Sequence, residues 1–137
     1  MERFEEARRW FAQALRDLKA ARDSLEDGNY EWSCFQSQQA AEKAVKALLY
    51  AYGRSSRGRS VVELLAIARE VGSLNEDLFI YARELDRHYI PSRYPNAFES
   101  GYPGMYYDEA TARRALEAAE KIIGWVEKWL KSLGVEM

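Results

Sequence analysis

Hydrophobic positions recur with helical spacing through most of this 137-residue chain. In the first 25 positions, four large residues and three alanines share one heptad seam: Phe4, Ala7, Phe11, Ala14, Leu18, Ala21 and Leu25. The seam predicts an amphipathic helix from Glu2 to about Leu25, and its alanines would let a partner helix approach closely. Gly28 then ends the helix as a C-terminal cap.

A second helix is predicted from Tyr30 to about Tyr52. Its apolar stripe consists of Cys34, Ala41, Val45, Leu48, Leu49 and Tyr52. The opposite side carries Gln36, Gln39, Glu42, Lys43 and Lys46. The pattern favours a solvated or partner-facing side and leaves a second interpretation open, in which these residues form the polar wall of a site.

Three further helices follow a basic loop from Gly53 to Ser60. The loop is either a solvated connection or a phosphate contact, since arginine forks match phosphate oxygens. Ser60 and Glu63 have capping-box spacing, so a third helix begins there and ends at Gly72. A fourth helix begins near Asn75. The last helix starts at Asp108, a potential N-cap, and continues to the end of the chain.

No strand-like alternation appears between these segments. The sequence therefore predicts an all-α fold, an antiparallel bundle of four to five helices in one domain covering residues 1–137. The segment from Tyr89 to Tyr107 has no periodic pattern, and Pro91 and Pro95 prevent a continuous helix there. A connection of this length is usually functional or disordered, and its aromatic residues argue against disorder. We expect an ordered functional loop.

Composition limits the function classes that fit. The net charge of −2 provides no general field for nucleic acid, so a basic site must be local. One cysteine fits a reducing compartment. No signal-peptide pattern and no apolar run of membrane-spanning length occur, so we expect a cytoplasmic protein without membrane contact.

Candidate chemistry concentrates after the fourth helix. A protonated His88, favoured by the helix dipole, beside Arg83 would suit a phosphodiester. However, five helical steps place the two side chains about 140° apart, so they meet only if the helix distorts. From spacing alone we favour a simpler interpretation, in which Arg83 and Arg87 pair with Glu84 and Asp86 at the surface and His88 covers the core edge.

Other chemistry is not indicated. One histidine and one cysteine cannot build a structural zinc site, and neither a phosphate-binding glycine loop nor a nucleophile elbow is present. We therefore expect no metal and no cofactor.

Three pieces of the chain together resemble one family. They are Trp10, Ala14, Asp17, Leu18 and Ala21 of the first helix, the stretch FQSQQAAEKAVKALL at 35–49, and the stretch LDRHYIPSRYPNA at 85–97. With them the chain resembles the HEPN (higher eukaryote and prokaryote nucleotide-binding) domain family over nearly its whole length. The resemblance implies a helical bundle that dimerises, often with its site at the dimer cleft.

Many HEPN proteins are metal-independent RNases with an arginine, four to six residues and then a histidine, a spacing that Arg83 and His88 fit. Several toxin members carry a tyrosine two positions after the histidine, where a partner nucleotidyltransferase adds AMP. This chain has Ile90 there and Tyr89 beside it. Many relatives also have a histidine before the third helix, where this chain has Ser60.

The Arg-Tyr-Pro stretch resembles members that are paired with small nucleotidyltransferases. We therefore predict a homodimeric module that binds nucleotide or RNA and acts with a separate small nucleotidyltransferase, as in toxin–antitoxin pairs. The predicted binding residues are Gln39, Lys43, Arg87, Tyr89, Arg93 and Tyr94. A metal-independent RNase using Arg83 and His88 is the alternative, and a purely structural helical dimer is a second one.

Overall fold

The computed structural model describes residues 2–137, and every regular element in that range is helical. The helices are α1 (Glu2–Glu26), α2 (Tyr30–Ala51), α3 (Val61–Val71), α4 (Leu78–Asp86), α5 (Pro103–Tyr106) and α6 (Glu109–Ser132), with a 3-10 turn at Pro95–Ala97. Five of them are long enough to form a bundle, which confirms the predicted all-α architecture. None of the helices in residues 2–137 has the length and apolar character needed to cross a membrane.

The first two helices form an antiparallel hairpin. Gly28 makes the reversal possible with a φ of 81°, a left-handed conformation that favours glycine. Contacts then run in opposite directions along the two helices: Ser33 with Ala21, Lys43 with Asp17, and Tyr50 with Trp10. α6 packs along α2 and α4, which completes the bundle.

The alanine seam of α1 lies inside this hairpin. Ala7, Ala14 and Ala21 are fully buried within the single chain, where α1 packs on α2. The partner helix that approaches this seam is α2 of the same chain, so no second subunit is needed to cover it. The seam gives no support to a homodimer, which stays a prediction.

α2 is the central helix, and its predicted polar side is buried at Glu42 and Lys46 and half-buried at Gln36, Gln39 and Lys43. Gln38, Glu42 and Lys46 lie on one side at four-residue intervals and are almost inaccessible to solvent. The Glu42 carboxylate is 3.5 Å from Lys46 Nζ and 3.8 Å from a guanidinium nitrogen of Arg59. The interpretation of a solvated helix side is wrong for these residues, because α1, α3, α4 and α6 all pack around α2.

The predicted caps are confirmed. The Ser60 hydroxyl accepts from the Glu63 amide, and the Asp108 carboxylate accepts from the Thr111 amide. α4 begins at Leu78 instead of Asn75, because the Asn75 side chain accepts from the Asp77 amide in a preceding turn.

The segment 89–107 is more regular than its sequence indicates. It contains the 3-10 turn and α5, and both have a proline in the first turn. Phe98 stacks on Tyr106 with ring centroids 4.4 Å apart, and the Tyr106 hydroxyl donates to the Ser100 carbonyl. Local aromatic packing therefore orders this segment, and it returns the chain from α4 to α6.

Candidate functional site

A guanidinium surrounded by aromatic rings lies where the chain leaves α4. The Arg93 guanidinium carbon is 4.2 Å from the ring centroid of Phe35, 4.6 Å from that of Tyr89 and 5.0 Å from that of Tyr94. Cation–π attraction favours this arrangement. We call Phe35, Tyr89, Arg93 and Tyr94 the Arg93 cluster.

The backbone after α4 explains how the cluster forms. Pro91 cannot continue a helix, and a turn follows in which the Arg93 amide donates to the Ile90 carbonyl. The Arg93 side chain folds back, so that Nε donates to the Tyr89 carbonyl at 2.9 Å. Tyr94 precedes Pro95 in an extended conformation, as expected for a residue before proline.

The charge of Arg93 is not neutralised within the described chain. Seven arginines among residues 2–137 form ion pairs with carboxylates, and Arg93 is not one of them. Tyr94 is 46% exposed, and Trp32, which packs edge-on against Phe35, is 47% exposed. The cluster therefore offers a cation with free terminal donors beside exposed aromatic faces.

His88 lies in a different environment. The residue is only 4% exposed, and its ring contacts Glu84 and Tyr107; we call these three residues the His88 cluster. Nε2 is 3.1 Å from a carboxylate oxygen of Glu84, and Nδ1 is 2.9 Å from the Tyr107 hydroxyl. Both ring nitrogens are therefore engaged.

The protonation state follows from these partners. An ionised carboxylate only accepts, so Nε2–H donates to Glu84, and a neutral ring then accepts the Tyr107 proton at Nδ1. Burial lowers the pKa of His88 below 6.5 and outweighs the opposite effect of the Glu84 carboxylate. The expectation that the helix dipole keeps His88 protonated is therefore wrong. Burial also raises the pKa of the Tyr107 phenol, which keeps its proton.

Arg83 does not join this cluster. It is exposed and lines a groove between α4 and α6, and no hydrogen bond links it to His88 among residues 2–137. Glu84 takes the position beside the histidine because four helical steps bring side chains to the same face, whereas five do not. The regular helix ends at Asp86, and the distortion that would unite Arg83 with His88 does not occur in the single chain.

The contacts of Asp86 show that the predicted surface pairing of Arg83 and Arg87 with Glu84 and Asp86 is wrong. Its carboxylate accepts from the Val61 and Val62 amides at 2.9 Å and from the Ser60 hydroxyl, and Gln38 donates to it from α2. Asp86 therefore anchors the N-terminus of α3 and forms no ion pair with Arg83 or Arg87. Glu84 likewise pairs with His88, and its other oxygen lies 3.9 Å from Arg114.

The remaining predicted residues lie apart from one another. Lys43 forms an ion pair with Asp17 in a groove between α1 and α2. Gln39 donates to the side chain of Gln38. Arg87 is exposed in the α4–α6 groove with Arg83. The single chain therefore brings Tyr89, Arg93 and Tyr94 together and leaves the other predicted binding residues outside that cluster.

Comparison with known proteins supports one family. The HEPN domain model matches residues 7–129, which is most of the chain. The chain belongs to the HEPN domain family. Its relatives include a protein of Methanocaldococcus jannaschii named "Putative toxin MJ1304", which is 28% identical over 134 residues, 91% of this chain and 88% of that protein.

Solved structures that are 38–43% identical in sequence superpose closely on this chain. TT1696 from Thermus thermophilus has a TM-score of 0.87 at 43% identity, over 90% of this chain and 97% of that one. The archaeal HEPN homologue ST0689 has a TM-score of 0.78 at 40% identity, over 91% and 98%. A HEPN domain protein from Thermotoga maritima, TM0613, has 0.73 at 38%, over 90% and 98%.

Sequence reasoning on this HEPN chain missed several residues that build the two clusters. Phe35 was noted only as the first residue of the stretch 35–49, and Tyr107 is nineteen positions from His88, so only the fold brings them to their partners. Glu84 was detectable, because it precedes His88 by the four-residue step that places helical side chains on one face.

Proposed function

We propose that this chain is a toxin-like HEPN module that binds a nucleotide or RNA at the Arg93 cluster and acts with a separate small nucleotidyltransferase. The observation that carries the binding proposal is the Arg93 guanidinium, held over three rings without a carboxylate partner among residues 2–137. The toxin-like assignment rests on the name of the Methanocaldococcus jannaschii relative.

The chemistry of the cluster suits a single-stranded ligand. Nε of Arg93 is used by the Tyr89 carbonyl, so the guanidinium is oriented while its terminal nitrogens stay available to phosphate oxygens. The exposed ring of Tyr94 offers a face on which a base stacks. Phosphate neutralisation and base stacking together recognise nucleic acid without requiring a particular sequence.

The test is binding of a short single-stranded RNA and of AMP by calorimetry. Arg93→Ala should weaken binding by about tenfold or more, the usual effect of losing a hydrogen bond to a charged group. Arg69→Ala is the matched control, because Arg69 also lies over a ring, that of Phe79, but is paired with Glu76 at 2.7 Å. Equal weakening by both changes, or no binding by the unmodified protein, would contradict the proposal.

The partner and the assembly need separate tests. A small nucleotidyltransferase gene beside the gene for this chain, and co-purification of the two proteins, would support the pairing. For the predicted homodimer, sedimentation at micromolar concentration should give twice the chain mass of 15.9 kDa. A monomer under those conditions would contradict it.

The RNase alternative has less support from the geometry. His88 would have to exchange its Tyr107 or Glu84 contact for substrate, and Arg83 would have to reach it by a rearrangement or from a second subunit. If the chain does cleave RNA through these residues, His88→Ala should lose at least about 10²-fold activity in EDTA. The purely structural alternative predicts neither cleavage nor binding.

A further inference from the structure

A pocket lined by aromatic rings lies where α2 and α3 end beside the C-terminal half of α6. Tyr52, Trp125 and Trp129 supply the rings, and Lys128 is the only charged residue that residues 2–137 contribute to the lining. The volume of the pocket is about 560 Å³, within the range of small-ligand sites. We propose that this pocket binds a small planar aromatic acid that carries a single negative charge.

The indole of Trp129 is fixed from two sides. Its Nε1 donates to the Tyr52 hydroxyl at 2.7 Å, and its six-membered ring lies against Gly72. A Cβ at position 72 would be 2.1 Å from Cζ2 of Trp129, so this close approach requires glycine. A wall that is already ordered loses little conformational entropy when a ligand binds, which favours affinity.

The two tryptophans form a corner that suits a flat ring. Their ring centroids are 4.8 Å apart and their planes meet at 80°. Both side chains pack on the hydrophobic core and are half-buried, so part of each ring remains open to the pocket. Aromatic rings attract one another both by offset stacking and by edge-to-face contact. A planar ligand that stacks on one indole therefore meets the other at a right angle, and both contacts are favourable.

Lys128 gives the pocket a positive charge without a partner in the described chain. It is exposed, and the lysines that pair with carboxylates among residues 2–137 are Lys19, Lys43, Lys46 and Lys131. No carboxylate from residues 2–137 lines the pocket, so repulsion from Lys128 opposes the binding of a cation on the rings. The exposed hydroxyl of Ser73 adds a donor for an anion.

The lining favours a carboxylate over a phosphate ester. Arginine forks match phosphate oxygens, and no arginine of residues 2–137 lines the pocket. One ammonium group balances one negative charge, whereas a phosphate monoester carries about 1.5–2 at pH 7. The ligand class is therefore an aromatic carboxylate and not a nucleotide.

This inference goes beyond the proposed function and does not rest on it. The pocket and the Arg93 cluster share no residue. Phe35 of the cluster and Tyr52 of the pocket lie near opposite ends of α2, and the usual helical rise separates them by about 25 Å. Each site can therefore be changed without altering the other.

The four tryptophans of the chain give a direct readout of the pocket. The indole N–H signals of the isotope-labelled, unmodified protein are followed by NMR while phenylacetate is added. Replacement of one tryptophan at a time assigns the signals. Phenylacetate should shift those of Trp125 and Trp129 and leave those of Trp10 and Trp32 in place.

Three further probes define the ligand class. Phenylacetamide has the same ring without the charge, and cyclohexylacetate has the same charge without the aromatic ring. Both should bind more weakly than phenylacetate, because the first loses its attraction to Lys128 and the second its aromatic contacts. AMP should leave the signals of Trp125 and Trp129 unshifted.

A pair of lysine variants tests the charge. Lys128→Ala should weaken phenylacetate binding about fivefold, the usual effect of losing an ion pair near the surface, and should leave phenylacetamide binding unchanged. Lys131→Ala is the matched control. It removes the same charge from α6, but Lys131 pairs with Glu127 at 3.5 Å and does not line the pocket.

A pair of glycine variants tests the fixed indole. Gly72→Ala should weaken phenylacetate binding about tenfold or more, because the added methyl group displaces Trp129. Gly124→Ala is the control, since nothing lies within 4 Å of a Cβ at that position. If Gly72→Ala also moves the signals of Trp10 and Trp32, Trp125→Leu takes its place, because it removes one ring of the pocket and should weaken binding to a similar extent.

The outcomes separate this inference from the proposed function. No shift of Trp125 and Trp129 with phenylacetate, or equal effects of Lys128→Ala and Lys131→Ala, would overturn the pocket. Phenylacetamide binding as tight as phenylacetate binding would overturn the acid assignment, and so would AMP binding at these two tryptophans. Arg93→Ala should leave phenylacetate binding unchanged. If phenylacetate fails to bind while RNA binding depends on Arg93, this inference fails and the proposed function stands; the reverse result has the reverse meaning.

Discussion

Arg93 and His88 are five positions apart in the chain and have opposite environments. Arg93 is a partly exposed cation held by aromatic rings, with donors left over. His88 is a buried neutral ring, and both of its nitrogens have partners. Glu84 of α4 contacts Nε2, and Tyr107, just before α6, contacts Nδ1. The difference lies in unused hydrogen-bonding capacity, which Arg93 has and His88 lacks.

This comparison separates a side chain that stabilises the fold from one that is available to bind a ligand. A buried polar group is costly unless it is paired, so a satisfied buried histidine is first of all a structural link between α4 and the start of α6. A stacked guanidinium without a carboxylate partner is already oriented and can meet an anion with little reorganisation. We therefore expect changes at His88 to alter stability and changes at Arg93 to alter ligand affinity.

The largest effect on stability is expected for His88→Ala. The change leaves the Tyr107 hydroxyl and one Glu84 oxygen without their partner and opens a cavity, at a cost of about 2–3 kcal/mol in the free energy of unfolding. Urea denaturation measures this cost. Tyr107→Phe, which removes only the hydroxyl, should cost about 1 kcal/mol, and a loss below that for His88→Ala would contradict the structural role.

The second prediction concerns how the free energy of unfolding depends on pH. Because the pKa of His88 is lowered in the folded chain from 6.5, the unfolded chain binds more protons below pH 6.5, and stability should fall as the pH drops through that value. The contribution is at most about 1.4 kcal/mol per pH unit. Urea denaturation at several pH values, compared with His88→Gln, isolates it, since buried Glu42 titrates in both proteins. Equal pH dependence in the two proteins would contradict the buried neutral ring.

The smallest effect on stability is expected for Arg93→Ala. The side chain loses cation–π contacts and one hydrogen bond to the Tyr89 carbonyl, which together contribute about 1 kcal/mol at a partly exposed site. Urea denaturation of Arg93→Ala measures this loss in the free energy of unfolding. A loss as large as that of His88→Ala would mean that Arg93 holds the loop in place and would remove the contrast between the two regions.

The sequence predicted local structure well because local structure depends on nearby residues. The Ser60 and Asp108 caps and the break at Gly28 involve partners within a few positions, and all three occur as expected. The Arg-Tyr-Pro turn was also correctly identified as ordered, since prolines and aromatics restrict the chain there. Within the candidate site, the grouping of Tyr89, Arg93 and Tyr94 follows from their proximity in sequence.

The remaining features depend on which helices pack together, and only the tertiary structure decided them. Periodicity assigned Glu42 and Lys46 to a polar side, but it could not show that α2 would be surrounded. The same limit applies to Asp86, whose partners lie on α2 and at the start of α3. His88 was identified as a residue of interest from its type, yet burial lowers its pKa, and the partner of its Nδ1, Tyr107, lies nineteen positions away. Burial and long-range pairing arise when helices associate, so the residues of one helix alone cannot specify them.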